Sequence, residues 1–143
     1  MTRFLAATVA VTFMAPTVRA DISGISFASY ADSKQFKVKV TREALEKSPA
    51  WKDDAENPPL SARKAIKLAN ETKESLVKDS EQYVWKLRSV SLEPAGEGRW
   101  YWLVNYEAHV RRGGSTGIPP NLRLVVLMDG KVIKPEVKDY RND

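Results

Sequence analysis

The chain contains no cysteine. Disulfides, thiol chemistry and cysteine-ligated zinc are therefore excluded, as is lipid attachment through an N-terminal cysteine. Histidine is nearly absent too, with His109 as the only one. Any general base or metal site built on an imidazole must use that residue and recruit partners around it. No stretch after the first 20 residues approaches the length of a membrane span. Like charges are not gathered in blocks: 23 basic and 18 acidic residues are interspersed. A dedicated nucleic-acid binder would want a concentrated basic face, so nucleic acid is not an expected partner. No internal repeat or low-complexity segment is present.

What is present begins with a leader-like segment. Arg3 supplies a positive start, Phe4 to Met14 is an apolar run, Pro16 breaks it, and Val18-Arg19-Ala20 places small residues at the cleavage-site positions. Residues 1–20 read as a signal peptide, and the run is too short for a stable transmembrane anchor. The expected location is exported, either periplasmic or extracellular. Losing Arg3 and Arg19 and no acid lowers the formal charge from +5 to +3, so the mature chain is only mildly basic. Without disulfides it must be held by its core. A domain of this size buries roughly two-thirds of its unfolded surface, which is enough.

The centre of the chain is one helix followed by one hairpin. Pro58-Pro59 blocks an earlier helix start, and Ser61 stands where its hydroxyl can cap the first free N–H groups. Ala62, Ala65, Ile66, Ala69 and Leu76 form one stripe at helical spacing, on a helix running to about Val77. The alanines let a sheet come close, and Ile66 is expected to be buried against it. The hairpin runs from Val84 to Leu92, turns through Pro94-Ala95-Gly96-Glu97-Gly98, and returns from Arg99 to Val110. In the second strand Trp100, Trp102, Val104, Tyr106, Ala108 and Val110 share the expected core face. Tyr101, Leu103, Asn105, Glu107 and His109 share the other. Trp85 and Leu87 fall out of phase with Val90 and Leu92, and a bulge near Arg88-Ser89 would restore one face.

On either side the signals are shorter. Ile25 to Tyr30 fits one short strand, Phe36 to Val40 alternates as a strand with outward lysines, and Thr41 can cap a short helix ended by Ser48-Pro49. Trp51, in an acidic loop, is expected to pack onto the body. Leu122 to Met128 reads as an interior strand, Asp129-Gly130 as a hairpin turn, and Lys131 to Val137 as a return strand that Pro135 marks as an edge. The expected division is a leader (1–20), an extended segment with a short strand and helix (21–59), a helix-plus-sheet core (60–138) and a charged tail (139–143). The fold class is α+β, with about four antiparallel strands packed on one main helix.

The run Ala65-Ile66-Lys67-Leu68-Ala69, a strand, a glycine-containing turn, an aromatic strand, and a strand ending Met128-Asp129-Gly130-Lys131-Val132-Ile133 resembles a PepSY-type domain over about residues 60–137. That resemblance implies a non-catalytic exported or membrane-linked module, sometimes inhibiting peptidases. The longer connection Arg111 to Asn121 and the tryptophan-rich hairpin depart from the compact family pattern. A cystatin-like sheet wrapped on one helix is the structural neighbour. The lead-in from Trp51 to Leu60 also resembles small exported bacterial proteins of unknown function.

Candidate chemistry is sparse. Glu107 lies two residues from His109 on the same strand face, but one histidine and one carboxylate fall short of the three protein ligands zinc wants. Ser115 is near in sequence, yet no nucleophile-elbow pattern surrounds it, and a Ser–His dyad would also need an orienting acid and an oxyanion hole. Gly113-Gly114-Ser115-Thr116-Gly117 lacks the following helix that a phosphate cradle needs. Arg111 and Arg112 are placed to grip a carboxylate or phosphate. The reading is an exported non-catalytic binding or inhibitory module, with no cofactor and no metal, whose partner is a protein or an envelope component. The alternatives are a small hydrolase using His109, Glu107 and Ser115, or a binder of acidic envelope polymer through Arg111 and Arg112. Tyr101 and Leu103, with Val125 and Leu127, would form an apolar reverse face needing a cover. The cover is either Ile22 to Val40, a second copy in a homodimer, or a partner protein, in which case Tyr101 and Leu103 are binding residues.

The leader reading predicts cleavage after Ala20. The intact mass of the exported protein should match a chain beginning at Asp21, and a retained Met1 in that fraction would contradict export.

Overall fold

A computed structural model describes residues 24–52, 54–113 and 117–140. The leader expected at 1–20, Asp53, Ser115 and the last three residues lie outside the described residues. The elements in order are β1 (Ile25–Ala31), β2 (Lys34–Val40), α1 (Arg42–Lys47), α2 (Ala62–Leu76), β3 (Tyr83–Gly96), β4 (Arg99–Val110), β5 (Asn121–Leu127), β6 (Val132–Ile133) and β7 (Glu136–Asp139). The class is α+β, with antiparallel pairing throughout. The expected four-stranded sheet is present in the order β3-β4-β5-β6, and a second sheet, β1-β2-β7, lies beside it.

Helix α2 starts at Ser61, whose Oγ accepts from the Lys64 N–H at 3.3 Å. Ala65 and Ala69 are fully buried, and with Ala62, Leu68 and Leu76 they meet Trp102, Val104, Tyr106, Leu122, Leu124 and Val126. Leu68 packs against that cluster, whereas Ile66 is half-buried and outside it. In the β5–β6 turn Gly130 has a φ of +88°, a left-handed backbone that glycine adopts without steric cost.

The β3–β4 register slips between Leu87 and Ser89, placing a bulge at Arg88. Trp85, Val90 and Leu92 therefore share the helix side, while Leu87 remains largely exposed near the sheet edge. Trp102 Nε1 donates to the Leu60 carbonyl at 2.9 Å, tying the helix lead-in to β4. Trp51 packs edge-on to Trp100, with ring centroids 5.5 Å apart, and its backbone N–H donates to the Gly98 carbonyl.

The reverse face is covered by the N-terminal segment. Val38, Val40 and Leu45 are buried against Tyr101, Val125 and Leu127, with Ile25, Phe27 and Leu103 alongside. Helix α1 is capped by Thr41, whose Oγ1 accepts from Ala44, and this sets Leu45 over the sheet. Phe36 joins the helix-side cluster instead. Among the described residues of the segment 21–59, β1, β2 and α1 thus form a two-stranded layer with a helix, more than an extended lead-in. The return strand expected at Lys131 to Val137 is split. Only Val132–Ile133 pairs with β5, and after Lys134-Pro135 the chain crosses to pair with β2 as β7. Proline cannot donate to a ladder, so the crossing falls where pairing must break. Asp139, expected in the tail, ends that strand.

Tyr106 shows how tightly β4 is held. Its ring is 2 % exposed, its Oη donates to Asn70 Oδ1 at 2.7 Å, and burial pushes its phenol well above the usual tyrosine range. Burial, and secondarily Glu93, raises Tyr101 as well. A phenol with a raised folded-state pKa keeps its proton where the unfolded chain has lost it. Its stabilising contribution is complete below about pH 10 and declines as pH rises beyond that. The denaturation midpoint should therefore fall above about pH 10, and Tyr106→Phe should flatten that decline while costing about 1 kcal/mol at neutral pH through the lost bond to Asn70. Superimposable alkaline profiles for the two proteins would contradict this.

Candidate functional site

Tyr101 is 5 % exposed beneath the N-terminal layer, with its ring centroid 6.3 Å from that of Phe27. Leu103 is half-buried in the same cluster. Both are packing residues between the sheets, since the chain supplies the cover from its own N-terminal segment.

His109 is exposed near the end of β4, and Glu107 lies two residues back on the same face. The Glu107 carboxylate is engaged elsewhere: Oε2 accepts from the Arg88 guanidinium at 2.6 Å, and its side chain is only 18 % exposed. Ser115 lies outside the described residues. Among the described residues no group of three or more His, Cys, Asp or Glu could hold a metal ion, and no helix is long and apolar enough to cross a membrane.

Arg111 is used structurally. Its Nε donates to the Ser80 carbonyl at 2.9 Å, its backbone N–H donates to Gln82, and its guanidinium stands 3.6 Å from Asp79. Asp79 in turn accepts from the Trp85 N–H. Arg111 therefore ties the end of β4 to the connection entering β3. Arg112 is exposed, and the hollow it lines with Arg111 is also lined by Asp79 and Glu81. An incoming anion would meet as many carboxylates as guanidiniums.

A further hollow is one the sequence does not announce. A cleft of about 860 Å³ is lined by Tyr30, the Asp32-Ser33 turn, Ile118, Pro119-Pro120 and Tyr140. Tyr30 lies near the end of β1, and Tyr140 follows β7, and β2 stands between those two strands. The Tyr140 N–H donates to the Ser33 carbonyl at 2.7 Å, which draws the chain past β7 to the β1–β2 turn. The two rings then meet edge-on, with centroids 5.1 Å apart at 62°. Gln35, opposite Tyr30 in the register, donates from Nε2 to Tyr30 Oη at 2.8 Å. The rings are nonetheless 43 % and 45 % exposed, and Ile118 across the cleft is 92 % exposed.

The turn at the rim is tight. Asp32 and Ser33 both have positive φ, 50° and 58°, the primed geometry that suits a two-residue hairpin. It is made here without glycine, and left-handed backbone is uncommon for serine. The cleft thus has aromatic faces held by backbone and side-chain hydrogen bonds, an apolar wall opposite, and hydroxyl, carboxylate and ammonium groups around it. It offers aromatic and apolar surface on which a ligand can stack. No nucleophile paired with a base lines it. The sequence signal for it was weak: Tyr30 and Tyr140 belong to distant segments, and only the pairing of β7 with β2 unites them.

Compared with known proteins, the chain matches no protein-family model, no curated protein and no solved structure.

Proposed function

We propose that this protein is an exported, non-catalytic binding module that holds a protein segment or an envelope component in the Tyr30–Tyr140 cleft. The observation that carries the reading is the aromatic pair itself. Two tyrosines are fixed edge-on by hydrogen bonds to Gln35 and Ser33, yet each keeps nearly half its surface open to solvent. Tyrosine in that state brings a large rigid contact area at low entropic cost, which is why it is enriched in binding surfaces. The hydrolase alternative is less well supported, because Arg88 occupies the carboxylate that His109 would need as an orienting group. The acidic-polymer alternative through Arg111 and Arg112 is weakened by the ties of Arg111 to Ser80 and Asp79. The PepSY-like reading of residues 60–137 belongs to the same proposal: one helix on an antiparallel sheet suits a module that presents surfaces.

Ligand-observed NMR with two panels, soluble peptidoglycan fragments and short proline-containing peptides, tests this on the mature protein. At least one panel should contain a binder. Tyr30→Ala and Tyr140→Ala should each weaken it by about 2 kcal/mol, roughly thirtyfold, as truncation of an aromatic anchor does. Both residues are well exposed, so thermal stability should change little. Binding indifferent to both substitutions, or cleavage of a fragment that depends on His109, would contradict the proposal.

A further inference from the structure

The cover on the reverse face of the four-stranded sheet ends partway along β4. Tyr101 and Leu103 lie under the N-terminal layer, but the next residues on that face are polar. Directly opposed residues share a face, so the register builds two polar rows across three strands. One is Ser89–Asn105–Arg123 and the next is Lys86–Glu107–Asn121. Polar residues in a row on a central strand need an explanation, since the same strand is aromatic one step away.

The bulge adds a third element. The pairing passes from Leu87–Tyr106 to Ser89–Asn105, leaving Arg88 as the extra residue. Bulges re-aim side chains and recur beside functional sites. Here the side chain swings to Glu107, whose carboxylate fixes the Arg88 guanidinium while leaving it 67 % exposed. Arg123, on the other flank, is pinned through its backbone N–H to Ser29 Oγ at 3.2 Å. Its guanidinium has no carboxylate partner among the described residues. Between the two arginines is a hollow of about 370 Å³ lined by Arg88, Ser89, Leu103, Asn105, Asn121 and Arg123.

Asn105 forms part of that lining. Its Nδ2 donates to Ser89 Oγ at 2.9 Å, and its Oδ1 is buried with no hydrogen-bond partner. An unsatisfied buried polar atom weakens a fold, and residues kept at a stability cost are characteristic of sites that bind.

We propose that this hollow is a binding site for a hydroxylated carboxylate. The charge selects an anion. Arg88 and Arg123 line the hollow, and the neighbouring row adds Lys86 and Glu107, so the surroundings are net positive. Guanidinium forks match the planar carboxylate in shape. Ser89, Asn105 and Asn121 add neutral donors and acceptors suited to neighbouring hydroxyls. The volume admits a small ligand or one unit of a polymer. The carboxylate can therefore come from a free hydroxy acid or from a uronate unit of an acidic polysaccharide. The site stands whether or not the aromatic cleft takes a ligand, although Asn121 borders both hollows.

The test is a two-dimensional NMR titration of the mature protein with galacturonate, its trimer, galactose and inorganic phosphate. Galacturonate should shift the Asn105 side-chain amide and the Arg123 Nε–H, and raising the salt to about 0.5 M should weaken it. Galactose should leave those signals in place, and phosphate should bind more weakly than galacturonate. A trimer that binds more tightly than the monomer identifies the polymer as the source, and equal affinities identify the free acid. Arg123→Gln should weaken galacturonate at least about tenfold. Asn105→Val should also lower affinity while holding or raising the melting temperature, which a purely structural residue would not do. The proposal is overturned if no carboxylate shifts these signals, if galactose or phosphate binds as well as galacturonate, or if both variants bind it unchanged.

Discussion

The structure depends on burying both sides of β4 at once. Along one face Trp102, Val104, Tyr106 and Ala108 are almost wholly inaccessible. On the other, Tyr101 is equally buried. A single layer of helix can cover only one face of a sheet, and large apolar patches are seldom left bare on a monomer. Two covers are therefore required. Helix α2 provides the first, and its alanines allow the close approach that the bulky strand residues demand. The N-terminal layer of β1, β2 and α1 provides the second, through Val38, Val40 and Leu45. Strand β7 then returns to β2, so the chain's last strand holds the second cover in place.

Much of this was legible in the residues. Ser61 and the alanine spacing located helix α2, the phase conflict between Trp85 and Val90 located the bulge, and setting Leu122 to Met128 beside the aromatic strand put Val125 and Leu127 on the reverse side. Those signals are local and periodic, so they survive without knowledge of the fold. The fate of Pro135 was not legible. Strand β7 is exposed throughout, carries no burial pattern, and is defined only by backbone pairing to a strand far away in sequence.

The candidate sites follow the same division. Arg111 and Arg112 stood out because they are adjacent and flank glycines, yet adjacency says nothing of partners, and Ser80 and Asp79 engage the first. Arg88 and Arg123 stood apart in sequence, and the register of three strands is what brings them to one hollow. Retrospectively, Arg123 was the one charge in an otherwise apolar strand, and Arg88 sat in the bulge. Tyr30 and Tyr140 offered no such sign. Both hollows lie near Asn121, at the start of β5, beyond the apolar contact between the layers. The physical logic is common to both: polar and aromatic side chains remain open where packing between the sheets ends.

The claim that the N-terminal layer is an integral cover is tested most directly by native-state hydrogen exchange on the protein. If β4 depends on both covers, the slowest amides of Val38 and Val40 should exchange with the same opening free energy as those of Val104, Leu124 and Val126, and that value should equal the global unfolding free energy. Exchange of the β2 amides through a markedly cheaper opening, with β4 and β5 still fully protected, would show that the helix and the four-stranded sheet stand without the second cover and would contradict the account.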